Sequence, residues 1–167
     1  IGEVGLHKNT KNEVLTLLEL IDLAVKRNEQ ILFHTPHLAD KYRGTRMILD
    51  LLRADSRIDR SRVCIDHCEE HTIRMALDEG YWAGITLYPT TKATPERAAD
   101  MVELYGPERI LVNSSADWGP SDPLAVPQFM AAVRRRGHPE SLVRQIVYDN
   151  PLTFLNQSVH FNFRQPN

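Results

Sequence analysis

Short apolar runs alternate with helix-spaced segments five times along this chain, and that alternation restricts its fold more than any other feature. Ile1 to Leu6 is the first run; Val14, Leu17, Leu18, Ile21 and Val25 then recur at helical spacing. Ile31-Leu32-Phe33 is the second run, ending at His34, and Met47, Ile48, Leu51 and Leu52 give a second helix. Val63-Cys64-Ile65 leads to His67, after which Ile73, Ala76 and Leu77 mark a helix that Gly80 is placed to stop. Trp82 to Leu87 is the fourth run, closed by Tyr88-Pro89. Thr94 and Pro95 supply the cap and first-turn proline of a helix that runs to about Tyr105. Ile110-Leu111-Val112 is the fifth run, and Asp122-Pro123 opens a helical region that ends before Gly137. Two shorter helical pieces, Pro139 to Ile146 and Pro151 to Leu155, complete the pattern.

Strand and helix in regular alternation imply a parallel sheet with crossover helices, so the fold class is α/β. The strands are continuous apolar runs, as a sheet covered on both faces requires. Two closures are open: a doubly wound sheet, or part of a (β/α)8 TIM barrel. A doubly wound nucleotide fold carries a glycine-rich turn after its first strand. Here that turn reads His7-Lys8-Asn9-Thr10-Lys11, and no phosphate-binding glycine loop occurs elsewhere.

Composition narrows the function classes. Apolar residues are 42 %, charged residues 25 %, and the net charge is −2, which excludes a coiled coil, a collagen-like chain and extended disorder. The balance speaks against a dedicated nucleic-acid coat, though not against an enzyme acting on nucleic acid. No apolar run approaches the ~20 residues of a membrane helix. Two cysteines cannot build a disulfide framework, so a reducing, cytoplasmic setting is expected. Residues 1–157 read as one domain and residues 158–167 as a C-terminal tail without periodicity. The chain opens at Ile1 inside an apolar run, with no initiator Met, and is expected to be a piece of a longer gene product.

The residues that end the strands carry the chemistry. Glu3 lies on the first strand, His34 ends the second, His67 ends the third, and the fifth runs into Asn113-Ser114-Ser115-Ala116-Asp117-Trp118. Parallel α/β folds bring their C-terminal strand ends to one mouth, where active sites form. Singly, each residue has an ordinary reading: a structural histidine, a glutamate paired with a basic side chain, an aspartate capping a turn. Together, Glu3, His34, His67 and Asp117 are two imidazoles and two carboxylates facing one mouth. That donor set suits one or two divalent ions: Zn, Mn, Fe or Ni, with Mg also accommodated. An ion held this way acidifies a water toward a pKa of ~7, and a rim carboxylate can take the proton.

Gly2-Glu3-Val4-Gly5-Leu6 resembles the G-E-x-G-L segment of the TatD-type metal-dependent hydrolases of the amidohydrolase superfamily. That family's pattern is H-x-H on strand one, Glu on strand four, His on strands five and six, and Asp on strand eight. Glu3, His34, His67 and Asp117 match the last four in order, and the ligand-free run Trp82 to Leu87 falls at strand seven. Asn150-Pro151-Leu152-Thr153-Phe154 looks like the family's closing N-P-x-x-F helix. The resemblance implies a (β/α)8 barrel of which this chain holds about the last five βα units. It implies a metal-dependent hydrolase, with phosphodiester (DNase-like) or small-molecule substrates. It further implies Glu3 bridging if two ions bind, and Asp117 as both ligand and general base. The departures mark a divergent branch. No H-x-H pair is present, His7 stands where the family has Asp, and Asn113-Ser114-Ser115-Ala116 replaces the usual residues before the ligand Asp. A metal-using barrel isomerase or lyase, or a catalytically incomplete fragment or binding module, are the competing readings.

Other residues near the mouth have weaker claims. His37, Tyr88 and Trp118 are candidate substrate contacts. Lys41, Arg43 and Arg46 read as a solvated charged face rather than a phosphate site. Cys64 and Cys68 bracket His67, but a lone C-x3-C spacing reads as two buried thiols rather than a zinc pair. Arg134-Arg135-Arg136 suits the C-terminal dipole of a helix.

Overall fold

The computed structural model describes residues 1–36, 39–116 and 119–163. Five strands form one sheet in chain order: β1 (Val4–Gly5), β2 (Ile31–His34), β3 (Val63–Asp66), β4 (Trp82–Leu87) and β5 (Ile110–Ser114). Every neighbouring pair is parallel. Helices α1 (Lys11–Arg27), α2 (Lys41–Ala54), α3 (Ile73–Asp78) and α4 (Pro95–Tyr105) connect successive strands, and α5 (Ala125–Arg135) follows β5.

Local chemistry sets the boundaries. Thr10 and Glu13 form a reciprocal capping box at the start of α1, and Asn28 ends it in the left-handed conformation. Thr94 caps α4, Pro95 occupies its first turn, and Gly106 ends it at φ +80°. The first strand is shorter than the apolar run suggests, and Glu3 immediately precedes it. The helix after β5 starts at Ala125, not at Asp122-Pro123: the Asp122 carboxylate accepts the Leu124 N–H and caps a preceding turn instead. The two short pieces near the C-terminus are one helical run, α6 (Glu140–Arg144), a π-helical turn over Gln145–Asp149, and α7 (Asn150–Leu155). Pro151 has no N–H to continue an α-helical ladder, and the π turn bridges the break, with the Asn150 N–H bonding Gln145 O.

Strand alternation separates the two faces of the sheet. Ile31, Phe33, Ile65, Ala83, Ile85, Ile110 and Val112 join Leu17, Ile21, Ile48, Leu52, Ile73, Met101 and Phe129 of the helices in the main core. The opposite face is layered. Toward the strand starts, Leu32, Cys64, Trp82 and Leu111 pack with Phe154 of α7. Gln30 Nε2 donates to Phe154 O at 2.5 Å, and Asn150 Nδ2 donates to Pro107 O and Ile110 O at 2.7 and 2.8 Å, so α7 is tied to this end of the sheet. Toward the strand ends the same parity turns polar: His34 pairs in register with Asp66, and Thr86 with Asn113. At the tail, the Phe163 ring stacks on Phe161, with centroids 6.3 Å apart, and meets Tyr148 edge-on.

Candidate metal centre

Three of the four expected ligands meet at the C-terminal mouth of the sheet. Glu3 Oε1 lies 2.5 Å from His67 Nε2 and 3.2 Å from His34 Nδ1. His34 Nδ1 is 2.9 Å from His67 Nε2, with the two rings edge to face. Among the described residues, Glu3, His34 and His67 are the group whose donor atoms lie close enough to share one ion. Asp117, the fourth expected ligand and general base, lies outside the described residues, as do His37 and Trp118.

A backbone torsion puts His67 there. Consecutive strand residues point to opposite faces, so Asp66 and His67 would diverge if β3 simply continued. His67 instead takes φ +59°, in the left-handed region, which turns its ring back over the mouth. Asp66 Oδ1 accepts the His67 backbone N–H at 2.7 Å and Asn113 Nδ2 at 3.0 Å. It also accepts the Thr86 hydroxyl at 3.2 Å. Having spent its one proton on Asp66, Thr86 Oγ1 accepts from His67 Nδ1 at 2.6 Å. His67 is thereby held as the tautomer with a bare Nε2 lone pair.

This tautomer tests whether a cation fits. The Nε2 lone pair faces a carboxylate oxygen at 2.5 Å, and two such acceptors repel unless positive charge lies between them. Tetrahedral ligands about a zinc-sized ion sit roughly 3.3 Å apart, from metal–ligand distances of ~2.0–2.1 Å. The three donors, at 2.5, 2.9 and 3.2 Å from one another, are drawn in closer than that. The hydrogen bond from His34 above all holds the Glu3 carboxyl well below the usual range, so it is ionised. The residues fit a divalent ion.

Around the triad, Lys92 Nζ lies 3.4 Å from His67 Nε2, 3.0 Å from Ser115 Oγ and 6.0 Å from the Tyr88 ring centre. Tyr88 is at the mouth but nearly buried. Cys64 and Cys68 are buried free thiols, and burial pushes both up in pKa, away from thiolate ligation. Lys41 is not on a solvated face: its ammonium is buried against Glu69 at 2.7 Å. The arginine run behaves as expected of a helix end, with Arg134 on Glu140 and Arg136 on Asp100 and Glu103.

The sequence reading missed Asp66, Thr86 and Asn113. A signal was present: all three are polar, share the parity of the apolar layer two or four residues further along their strands, and sit in runs otherwise fit for burial. Lys92 carried no such signal, because nothing local places a loop lysine against a histidine 25 residues away.

No protein-family model matches the chain. It is 33 % identical over 156 residues to an uncharacterized metal-dependent hydrolase of Methanocaldococcus jannaschii, covering 92 % of this chain and 60 % of that protein. Among solved structures it is similar to a TatD-like protein from Archaeoglobus fulgidus, with TM-score 0.73 and 28 % identity, covering 93 % of this chain and 59 % of that one. A β-aspartyl dipeptidase from Fervidobacterium islandicum shares the fold at TM-score 0.67 and 19 % identity, over 92 % of this chain and 45 % of that one. The chain therefore spans about three fifths of the length of the first two. Its five βα units are the matching portion of a (β/α)8 barrel.

Proposed function

We propose, from the chain's kinship in sequence and fold with TatD-like metal-dependent hydrolases, that it supplies a divalent-metal site to a hydrolase of phosphodiesters, with DNA the first substrate class to test. The observation that carries this reading is the convergence of Glu3, His34 and His67 on one point at the mouth. Those three would hold the ion, with Asp117 as the expected fourth ligand. When bound, the ion polarises a substrate oxygen and acidifies a water.

The chain's own residues do the rest. Thr86 and Asp66 keep His67 Nε2 aimed at the centre. The Asp117 carboxylate would take the proton from the attacking water. Lys92 presents an ammonium beside the triad, where the negative charge of a phosphodiester would meet it.

The test is metal content by mass spectrometry together with hydrolysis of bis(p-nitrophenyl) phosphate, single-stranded DNA and a neutral lactone, for wild type, Glu3→Gln and His34→Ala. Retained metal with phosphodiester turnover in wild type, and loss of both by about 100-fold or more in the variants, is expected. Turnover of the lactone alone would overturn the substrate assignment; a protein that takes up no metal would overturn the metal reading.

A further inference from the structure

We infer that Lys41 is a positioning residue for His67, and that the ion-pair network it heads from a buried position holds three loops of the mouth in one arrangement. The inference rests on the metal reading of Glu3, His34 and His67 and concerns what keeps His67 in place.

Lys41 is the first residue of α2, where the helix dipole disfavours a cation. Its side chain is only 9 % exposed, and burying an ammonium is costly unless its partners compensate. Local helix chemistry therefore does not account for a lysine here; its contacts do. Nζ donates to the backbone carbonyl of His67 at 2.8 Å. Thr35 Oγ1 lies 3.3 Å from the same carbonyl while donating to Asp66 O at 2.8 Å. The left-handed turn at His67 is thus gripped at its oxygen, on the side of the peptide away from the Asp66 contact to its N–H.

The charge of Lys41 is met by Glu69 at 2.7 Å, itself 18 % exposed. Glu69 also faces Arg97 at 3.5 Å. Arg97 binds Glu70 through two nitrogens at 2.7 and 2.6 Å and donates from a third to the backbone carbonyl of Lys92 at 2.9 Å. One network therefore joins the start of α2, the segment after β3 that follows His67, and the segment after β4 that carries Lys92. Both the His67 backbone and Lys92, whose Nζ lies 3.4 Å from His67 Nε2, are anchored through it. Groups that orient a metal-binding histidine from behind typically contribute 10–100-fold to metal affinity.

The experiment is a cobalt titration of the metal-stripped full-length protein, read by competition with a chromophoric chelator and by the cobalt visible spectrum. The variants are Lys41→Met, Lys41→Arg and Glu69→Gln, each with its melting temperature recorded. Cobalt affinity about 10–100-fold weaker in Lys41→Met, with an altered visible band and partial recovery in Lys41→Arg, is the expected result. Glu69→Gln, which keeps Lys41 but removes its partner, should lose a smaller share. Unchanged affinity and spectrum in a folded Lys41→Met overturn the inference and leave the metal reading standing. If Lys41→Met does not fold, unchanged affinity in Glu69→Gln overturns it instead. Wild-type protein that binds no cobalt overturns the metal reading itself, and the inference with it.

Discussion

Thr86 is the smallest group on which the candidate site depends. It is buried between Asp66 and His67, and its single hydroxyl proton decides which nitrogen of His67 is bare. Thr86→Val keeps the shape and removes the hydroxyl, leaving Asp66 one donor short and His67 Nδ1 unmatched. Stability should fall by about 1–3 kcal/mol in urea unfolding. Cobalt affinity should fall together with it, because the ring is then free to take the other tautomer. Gly84 matters for the opposite reason: space. A Cβ there would stand 2.2 Å from Asp66 Oδ1 and 3.1 Å from Asp66 Cα. Gly84→Ala should therefore displace Asp66 from Thr86 and Asn113 and cost about 1–3 kcal/mol by overpacking, read from the same urea midpoints. Asp66, Thr86 and Gly84 were each legible as strand residues. That they form one contact set was not, because the contact runs between strands 20 residues apart.

At the scale of an element, α1 shows how a helix end fixes a loop of the mouth. Glu13 accepts from the backbone N–H groups of His7, Lys8 and Thr10, so the capping box also fastens the chain between β1 and α1. Burial pushes the Glu13 carboxyl up, but those backbone donors outweigh it and bring it from 4.5 down to about 2. A carboxylate depressed in the folded state stabilises fully above its unfolded value and loses that contribution as pH falls. The loss should therefore run from about pH 4.5 down to about 2. Glu13→Gln should melt lower than wild type at neutral pH and converge with it near pH ~2, as followed by circular dichroism. Thr10→Ala should remove about 1 kcal/mol at neutral pH. The T-K-N-E spacing of this box is local to the sequence; the reach of Glu13 back to His7 needed the β1–α1 turn to form.

At the scale of the molecule, the sheet formed by the described residues ends in two unpaired edges, β1 and β5, and the face that bears the triad also carries Leu32 and Leu111 only half buried. Backbone donors and acceptors on an open edge recruit further strands. These 167 residues expressed alone should therefore self-associate, with a mass above 19.1 kDa by light scattering. A monodisperse monomer would show that both edges are protected within the chain. Phe154 covers the apolar layer against Trp82, their ring centres 5.7 Å apart, so Phe154→Ala should cost about 3 kcal/mol and loosen α7. The alternation of strands and helices, the parallel pairing and the Thr94-Pro95 start of α4 followed from sequence alone, because apolar period and cap chemistry act between residues a few positions apart. That His34 and the end of β3 share one mouth also followed, because parallel strands must bring their C-terminal ends together. Which way His67 turns, which nitrogen it offers, and why Lys41 is buried were decided only in the tertiary structure. Each depends on a left-handed torsion and on partners in other strands and loops, and those contacts exist only once the sheet has closed around them.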